Sequence, residues 1–115
     1  MNNSDLNLLR LMLEAARDAQ SFVAGETRRS LDADKKLLFA LTRSIETIGN
    51  IAERVPAGVR AECPDLPWAE LTELSASFTR VYFGIDADML WQTATREVPQ
   101  VASALERAIA ASSTE

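Results

Sequence analysis

A single apolar stripe in the middle of the chain restricts the possible folds more than any other feature of the sequence. Its members recur at the spacing of one helix face: Leu37, Leu38, Leu41, Ile45, Ile48, Ala52 and Val55. We therefore predict a long second helix from residues 30–32 to about residue 54, ended at the latest by Pro56. Gly49 lies on another side of this helix, where the missing side chain would let a second helix approach closely.

Two more helices are predicted on either side of the long one. The first would begin at a Ser4 cap and end at Gly25. The third would begin near Pro67 and stay in phase through Trp68, Leu71, Leu74, Phe78 and Val81. Gly84 then supplies the positive φ that a helix C-terminus favours. The proline-rich stretch between residues 56 and 67 is predicted to be a loop.

The last helix would begin at an Asp86 cap and present an apolar face as far as Ile109. This face stays in phase through Pro99, which predicts one kinked helix, with two shorter helices as the alternative. No segment shows sustained strand alternation. The sequence therefore predicts an all-α, up-and-down bundle of four to five helices, with residues 1–115 as one domain.

Composition excludes several kinds of site. The 115 residues include no histidine, which rules out His-based acid–base catalysis and His-containing zinc sites. The one cysteine, Cys63, cannot form a disulfide within the chain, which agrees with a cytoplasmic protein. No run approaches the roughly 20 apolar residues of a membrane span. Neither a phosphate-binding loop nor a dinucleotide fingerprint occurs, so no cofactor is expected. The net charge of −5 disfavours a general nucleic-acid binder.

The candidate site lies in the predicted last turns of the third helix. Tyr82, the only tyrosine, is either a reactive phenol or a half-buried aromatic with a solvated hydroxyl. Arg80 either binds a phosphate or complements the helix dipole. Ser75 and Thr79 would share the helix face of Tyr82.

Two charged pairs are secondary candidates. Arg43 and Glu46, one turn apart, would either buttress a cleft or form a solvated pair. Asp86 and Asp88 are better explained as a cap and a first-turn charge than as metal ligands, so no metal site is expected.

The order of landmarks resembles that of one known family. RSIETIG at residues 43–49 is followed by Pro-Trp at 67–68, YFGID at 82–86, MLWQ at 89–92 and Val-Pro at 98–99. From about Leu8 to Ile109 the chain resembles the HepT-like branch of the HEPN superfamily, the toxin partners of minimal nucleotidyltransferases. The resemblance implies a helical bundle that forms a homodimer and cleaves RNA without a metal.

The resemblance also implies which residues form the site. The family motif is an arginine, four residues, a histidine, any residue and a tyrosine. Counted back from Tyr82, the histidine position holds Arg80 and the arginine position holds Ser75. An arginine does not exchange a proton near neutral pH as histidine does, so ribonuclease activity is expected to be weak or lost.

Three functions are consistent with this motif. The first is a non-catalytic subunit that dimerises and docks to a nucleotidyltransferase antitoxin, with Tyr82 as the acceptor of an adenylyl group. The second is an active endoribonuclease toxin in which Arg80 replaces histidine. The third is a stand-alone helical binding module.

Overall fold

The computed structural model describes residues 1–75, 79–80 and 84–113, and at residues 79, 80 and 113 it describes the backbone alone. Its helices are α1 (Asn3–Val23), α2 (Arg28–Ala33), α3 (Lys35–Ala52), α4 (Ala57–Glu62), α5 (Trp68–Glu73), α6 (Ala87–Gln92), a π-helical turn (Thr93–Glu97) and α7 (Val98–Ser113). A short ribbon pairs β1 (Thr79–Arg80) with β2 (Gly84–Ile85) in antiparallel fashion. The predicted all-α class is confirmed, with this ribbon as a small addition.

The core forms where α1 packs on α3 and α7. The central members of the predicted stripe are buried there, since Leu41, Ile45, Ile48 and Ala52 are each 0% exposed. From the other two helices they meet Leu9, Met12, Ala16 and Leu105, which are equally inaccessible. Within the described part of the chain, no helix has the length and apolar content needed to cross a membrane.

Two helices begin at other residues than predicted, because different polar side chains cap them. Asn2, not Ser4, caps α1, and its side chain accepts a hydrogen bond from the Asp5 backbone N–H at 2.8 Å. Asp34 divides the predicted second helix into α2 and α3, because its carboxylate accepts the backbone N–H groups of Lys36 and Leu37 at 3.0 and 3.2 Å. An aspartate competes in this way with the helical backbone pattern and so begins a new helix.

The predicted loop between residues 56 and 67 contains the one-and-a-half turns of α4, so that prediction was wrong over residues 57–62. The helix forms because Pro56 suits a helix start and Val59 is buried against the core. Arg60 then closes the end of α3: its guanidinium donates to the carbonyl oxygens of Val55 at 3.0 Å and Ala52 at 2.9 Å. The guanidinium also lies 5.7 Å from the ring centre of Trp68.

Replacing Arg60 with methionine is expected to lower the free energy of unfolding by about 1–2 kcal/mol. Methionine keeps much of the packing volume but cannot satisfy the two carbonyl oxygens. Hydrogen bonds to charged groups contribute a net of about 1.5–3 kcal/mol, and the partial exposure of Arg60 lowers this value. Urea unfolding followed by circular dichroism measures the change. Arg29→Met, at an exposed position in α2, is the control. Equal unfolding midpoints for the two variants would show that Arg60 does not stabilise the end of α3.

The helical backbone runs unbroken from Ala87 to Ser113, as expected for the first of the two alternatives at Pro99. Asp86 caps its start as predicted, accepting the Met89 backbone N–H at 3.0 Å. The π turn ends at Glu97, two residues before Pro99. Proline lacks the N–H of an α-helical hydrogen bond and its ring crowds the preceding turn, so a wider turn accommodates it.

Both tryptophans are partly buried against the core, as their predicted helix faces require. Trp68 also donates its indole N–H to the Cys63 carbonyl oxygen at 3.0 Å. Cys63 itself is buried and free, and desolvation raises the pKa of its thiol, with Glu62 adding to the effect. This thiol therefore stays protonated and unreactive near neutral pH.

Candidate functional site

The segment that carries the candidate site is arranged differently from the prediction. The third predicted helix was expected to run through Val81, but α5 ends at Glu73, and Thr79–Arg80 form a β-strand. Arg80 therefore does not lie in a helical last turn. Serines, threonine and aromatic residues after Leu74 have poor helix propensity, and α5 alone is too short to impose its period on them.

Gly84 has the predicted positive φ, 74°, but the residue lies in β2 and not at the end of a helix. It lies opposite Arg80 in the ribbon, while Thr79 lies opposite Ile85. The antiparallel pairing thus returns the chain from the Arg80 position directly to the Asp86 cap of α6. Tyr82 and the side chain of Arg80 lie outside the described residues.

Ser75 is the motif position that the structure describes in full. It follows α5 and donates its hydroxyl to a Glu53 carboxylate oxygen at 3.1 Å, with the Thr72 carbonyl oxygen further away at 3.5 Å. Glu53 caps the C-terminus of α3 and is exposed. The first position of the motif therefore presents a hydroxyl group bound to an acidic side chain, and no cation.

Gly49 allows α5 to approach α3 at this place. A Cβ atom added at Gly49 would clash with the backbone nitrogen of Ser75. It would also lie 3.0 Å from the Leu71 carbonyl oxygen and 3.0 Å from the Leu74 carbonyl carbon. The predicted close approach at this glycine is thus confirmed. The backbone next to Gly49 belongs to the end of α5 and to Ser75 of the candidate site.

The two supporting residues lie on α3. Arg43 is exposed, and its guanidinium is not among the ion-paired groups of the described residues. Glu46 is half-buried, and the residue is not free of polar or electrostatic contacts. It lies one turn before Gly49, so the two residues share one side of α3.

Sequence reasoning missed Glu53. Its separation from Glu46 is two helical turns, so Glu46, Gly49 and Glu53 share one side of α3. That spacing could have identified it, but the residue lies at the end of the helix and is not a member of the apolar stripe. Its partner Ser75 is 22 residues away in the chain, and helical periodicity within α3 carries no information about such a contact.

Comparison with known proteins identifies the family. The family model described as "Ribonuclease HepT-like" matches residues 12–108. The "Probable ribonuclease HepT" of Thermococcus cleftensis is 27% identical over 107 residues, which cover 93% of this chain and 97% of that protein. "Putative RNase MJ1216" of Methanocaldococcus jannaschii is 28% identical over 98 residues, or 85% of this chain and 81% of the relative. No solved structure gives a significant match. The match to the family model spans most of the sequence, and the chain therefore belongs to the HepT-like ribonuclease family.

Proposed function

We propose that this protein is a HepT-like subunit in which the ribonuclease activity is lost or very weak. In this proposal it acts as a single domain of residues 1–115 that dimerises and docks to a nucleotidyltransferase antitoxin. The observation that supports it best is the hydrogen bond from Ser75 to Glu53. At the position where the family motif has an arginine, this chain places a neutral hydroxyl beside a carboxylate.

The chemistry of RNA cleavage explains why this matters. The 2′-hydroxyl must lose a proton, the leaving oxygen must gain one, and the phosphorane needs positive charge. Arg80 can supply charge but does not release a proton near neutral pH, and the sequence contains no histidine to do so. Glu53 adds a negative charge beside Ser75, which disfavours the approach of a phosphate.

In this proposal Tyr82 keeps the third position of the motif and serves as the acceptor of an adenylyl group. Its hydroxyl would attack the α-phosphate of ATP, forming a tyrosyl–AMP ester and releasing pyrophosphate as the phenolic proton is lost. The nucleotidyltransferase would bind the ATP and Mg²⁺, so this chain needs no cofactor of its own. Phe39 on α3 and Leu11 on α1 are 58% and 49% exposed, and these apolar side chains are candidates for subunit contacts.

A second candidate is an active endoribonuclease that uses Arg80 for charge stabilisation. The names of the two relatives as ribonucleases favour it. Under this candidate another group must handle the protons, and the half-buried Glu46, on the same side of α3 as Glu53, is an acidic residue that can be tested in that role.

Incubation of the protein with mixed tRNA and mRNA in EDTA separates the two candidates. We expect no cleavage above that of an Arg80→Ala variant prepared in the same way. EDTA removes metal-dependent contaminating nucleases, and the Arg80→Ala preparation accounts for metal-independent ones, because it carries the same contaminants. Cleavage by the unmodified protein that Arg80→Ala abolishes would overturn the proposal and establish the second candidate.

A further inference from the structure

A cavity of about 330 Å³ lies between α3, α5 and the helix that continues from the π turn into α7. Its volume is at the lower end of the range for small-molecule sites, about 300–1,000 Å³. The walls are aliphatic and come from all three elements: Ile48, Leu71, Leu74, Val98 and Val101. Of the site residues that the structure describes, neither Ser75 nor Glu53 lines it.

The mouth of the cavity is acidic. Asp65, Glu70 and Glu97 line it together with Gln100, and among the described residues no lysine or arginine does. All three acidic residues are exposed, and none belongs to an ion pair among the described residues. They are also not grouped closely enough to hold a metal ion, since the described residues contain no such cluster of three. The arrangement suits a longer cation that spans separate carboxylates.

Thr93 is an independent sign of a ligand. This residue begins the π turn, is only 6% exposed and lines the cavity. Its hydroxyl forms no hydrogen bond to a described residue, whereas the hydroxyls of Thr42, Thr47 and Thr95 each donate to a backbone carbonyl. No fully enclosed polar atom is unpaired in the described part of the chain, so this hydroxyl keeps some accessible surface, and the residue that carries it lines the cavity.

The π turn explains how these groups come together. It brings Thr93 and Glu97, four residues apart, to the same cavity as Val98. Turns of this kind occur often at functional sites. The cavity thus combines a buried hydroxyl, aliphatic walls and unpaired carboxylates at its mouth.

We propose that this cavity binds a small linear aliphatic ammonium ion. Such a molecule buries its methylene groups against Ile48, Leu71 and Val101, while an ammonium group donates hydrogen bonds to the carboxylates at the mouth. A polar group at the inner end of the chain reaches the Thr93 hydroxyl, which accepts or donates as needed. This inference goes beyond the proposed function and does not depend on it.

Isothermal titration with hexane-1,6-diamine tests the proposal on the full chain. Hexane-1,6-diol has the same length without charge, and hexanedioate has the same length with the opposite charge. We expect the diamine to bind at least about 10-fold more tightly than the diol, because charge-assisted hydrogen bonds are roughly twice as strong as neutral ones. Equal affinity for diamine and diol, or no binding of the diamine, would overturn the proposal.

Two variants locate the binding site. Glu97→Gln removes one carboxylate at the mouth, and Thr93→Val removes the inner hydroxyl while keeping the shape of the side chain. We expect each to weaken diamine binding about 10-fold, whereas Glu26→Gln, an equal charge change at an exposed position before α2, leaves it within about 2-fold. Thermal unfolding checks that the variants fold, and Glu97→Gln at the exposed mouth tests the site even if Thr93→Val does not fold. If Glu97→Gln and Glu26→Gln lower the affinity for the diamine equally, binding depends only on the net charge of the protein and the proposal is wrong.

Discussion

A double variant with Ser75→Arg and Arg80→His is expected to cleave RNA in EDTA about 10²–10⁴-fold faster than the unmodified protein, the usual contribution of a positioned acid–base group. Histidine at position 80 restores a group that exchanges protons near neutral pH. Arginine at position 75 restores the second cation. The assay is cleavage of the mixed tRNA and mRNA substrate.

The contact between Ser75 and Glu53 is the structural reason to expect higher activity from an arginine at position 75. Glu53 already accepts a hydrogen bond at that position, and a carboxylate pairs well with a guanidinium. An arginine there would therefore be oriented by Glu53, and the unfavourable negative charge would be neutralised.

A variant with Ser103→Arg and Arg80→His is the matched control. It has the same composition as the double variant, but the new arginine lies on an exposed position of α7. We expect this control to cleave far less RNA than the double variant. If both variants cleave equally, position 75 plays no part in the reaction. If neither cleaves, the activity of the family cannot be restored at these two positions.

Gly49→Ala is expected to lower the free energy of unfolding by about 1–2 kcal/mol. Overpacking a protein interior costs about 1–3 kcal/mol, and here the added methyl group meets backbone atoms of Leu71, Leu74 and Ser75, which cannot rotate away as a side chain can. The gain in helix propensity, about 1 kcal/mol, offsets part of this cost. Urea unfolding measures the change.

Gly58→Ala is the matched control: it makes the same chemical change, but we expect it to raise the free energy of unfolding. Gly58 lies in α4, and a Cβ atom there would meet nothing within 4 Å. This substitution is expected to stabilise the protein by about 0.4–1 kcal/mol, because it restricts the unfolded chain without causing a clash. If Gly49→Ala is as stable as Gly58→Ala, the contact between α3 and the end of α5 is not close.

Periodicity predicted the parts of the fold that depend on one continuous helix face. The stripe of α3 has its central and last members buried as expected, and Gly49 lies at a helix contact. The boundaries at Asn2 and Asp34 were missed because they depend on which of several nearby polar side chains reaches a free backbone N–H. α4 was missed because three prolines in residues 56–67 indicated a loop, while its stability comes from Val59 and Arg60 contacting other segments.

The candidate site was predictable only as a set of positions. Ser75, Arg80 and Tyr82 follow from the resemblance to the family motif, and their roles stay predictions. The helical position predicted for Arg80 was wrong, because residues 79–80 pair with residues 84–85 as strands. The contact between Ser75 and Glu53 depends on how closely two helices pack, and a pattern within one segment does not contain that distance.

The π turn also bears on how this chain is aligned with other sequences. Leu90 and Ala94 before Pro99, and Val101 and Leu105 after it, all face the core at 5% exposure or less, although a wider turn lies among them. One residue changes the direction of an α-helical side chain by about 100°, so a relative without the wide turn needs one residue fewer here to keep α7 in the same orientation. We therefore expect an alignment of this chain with a sequence that forms an ordinary α-helix here to place a one-residue gap between positions 93 and 97.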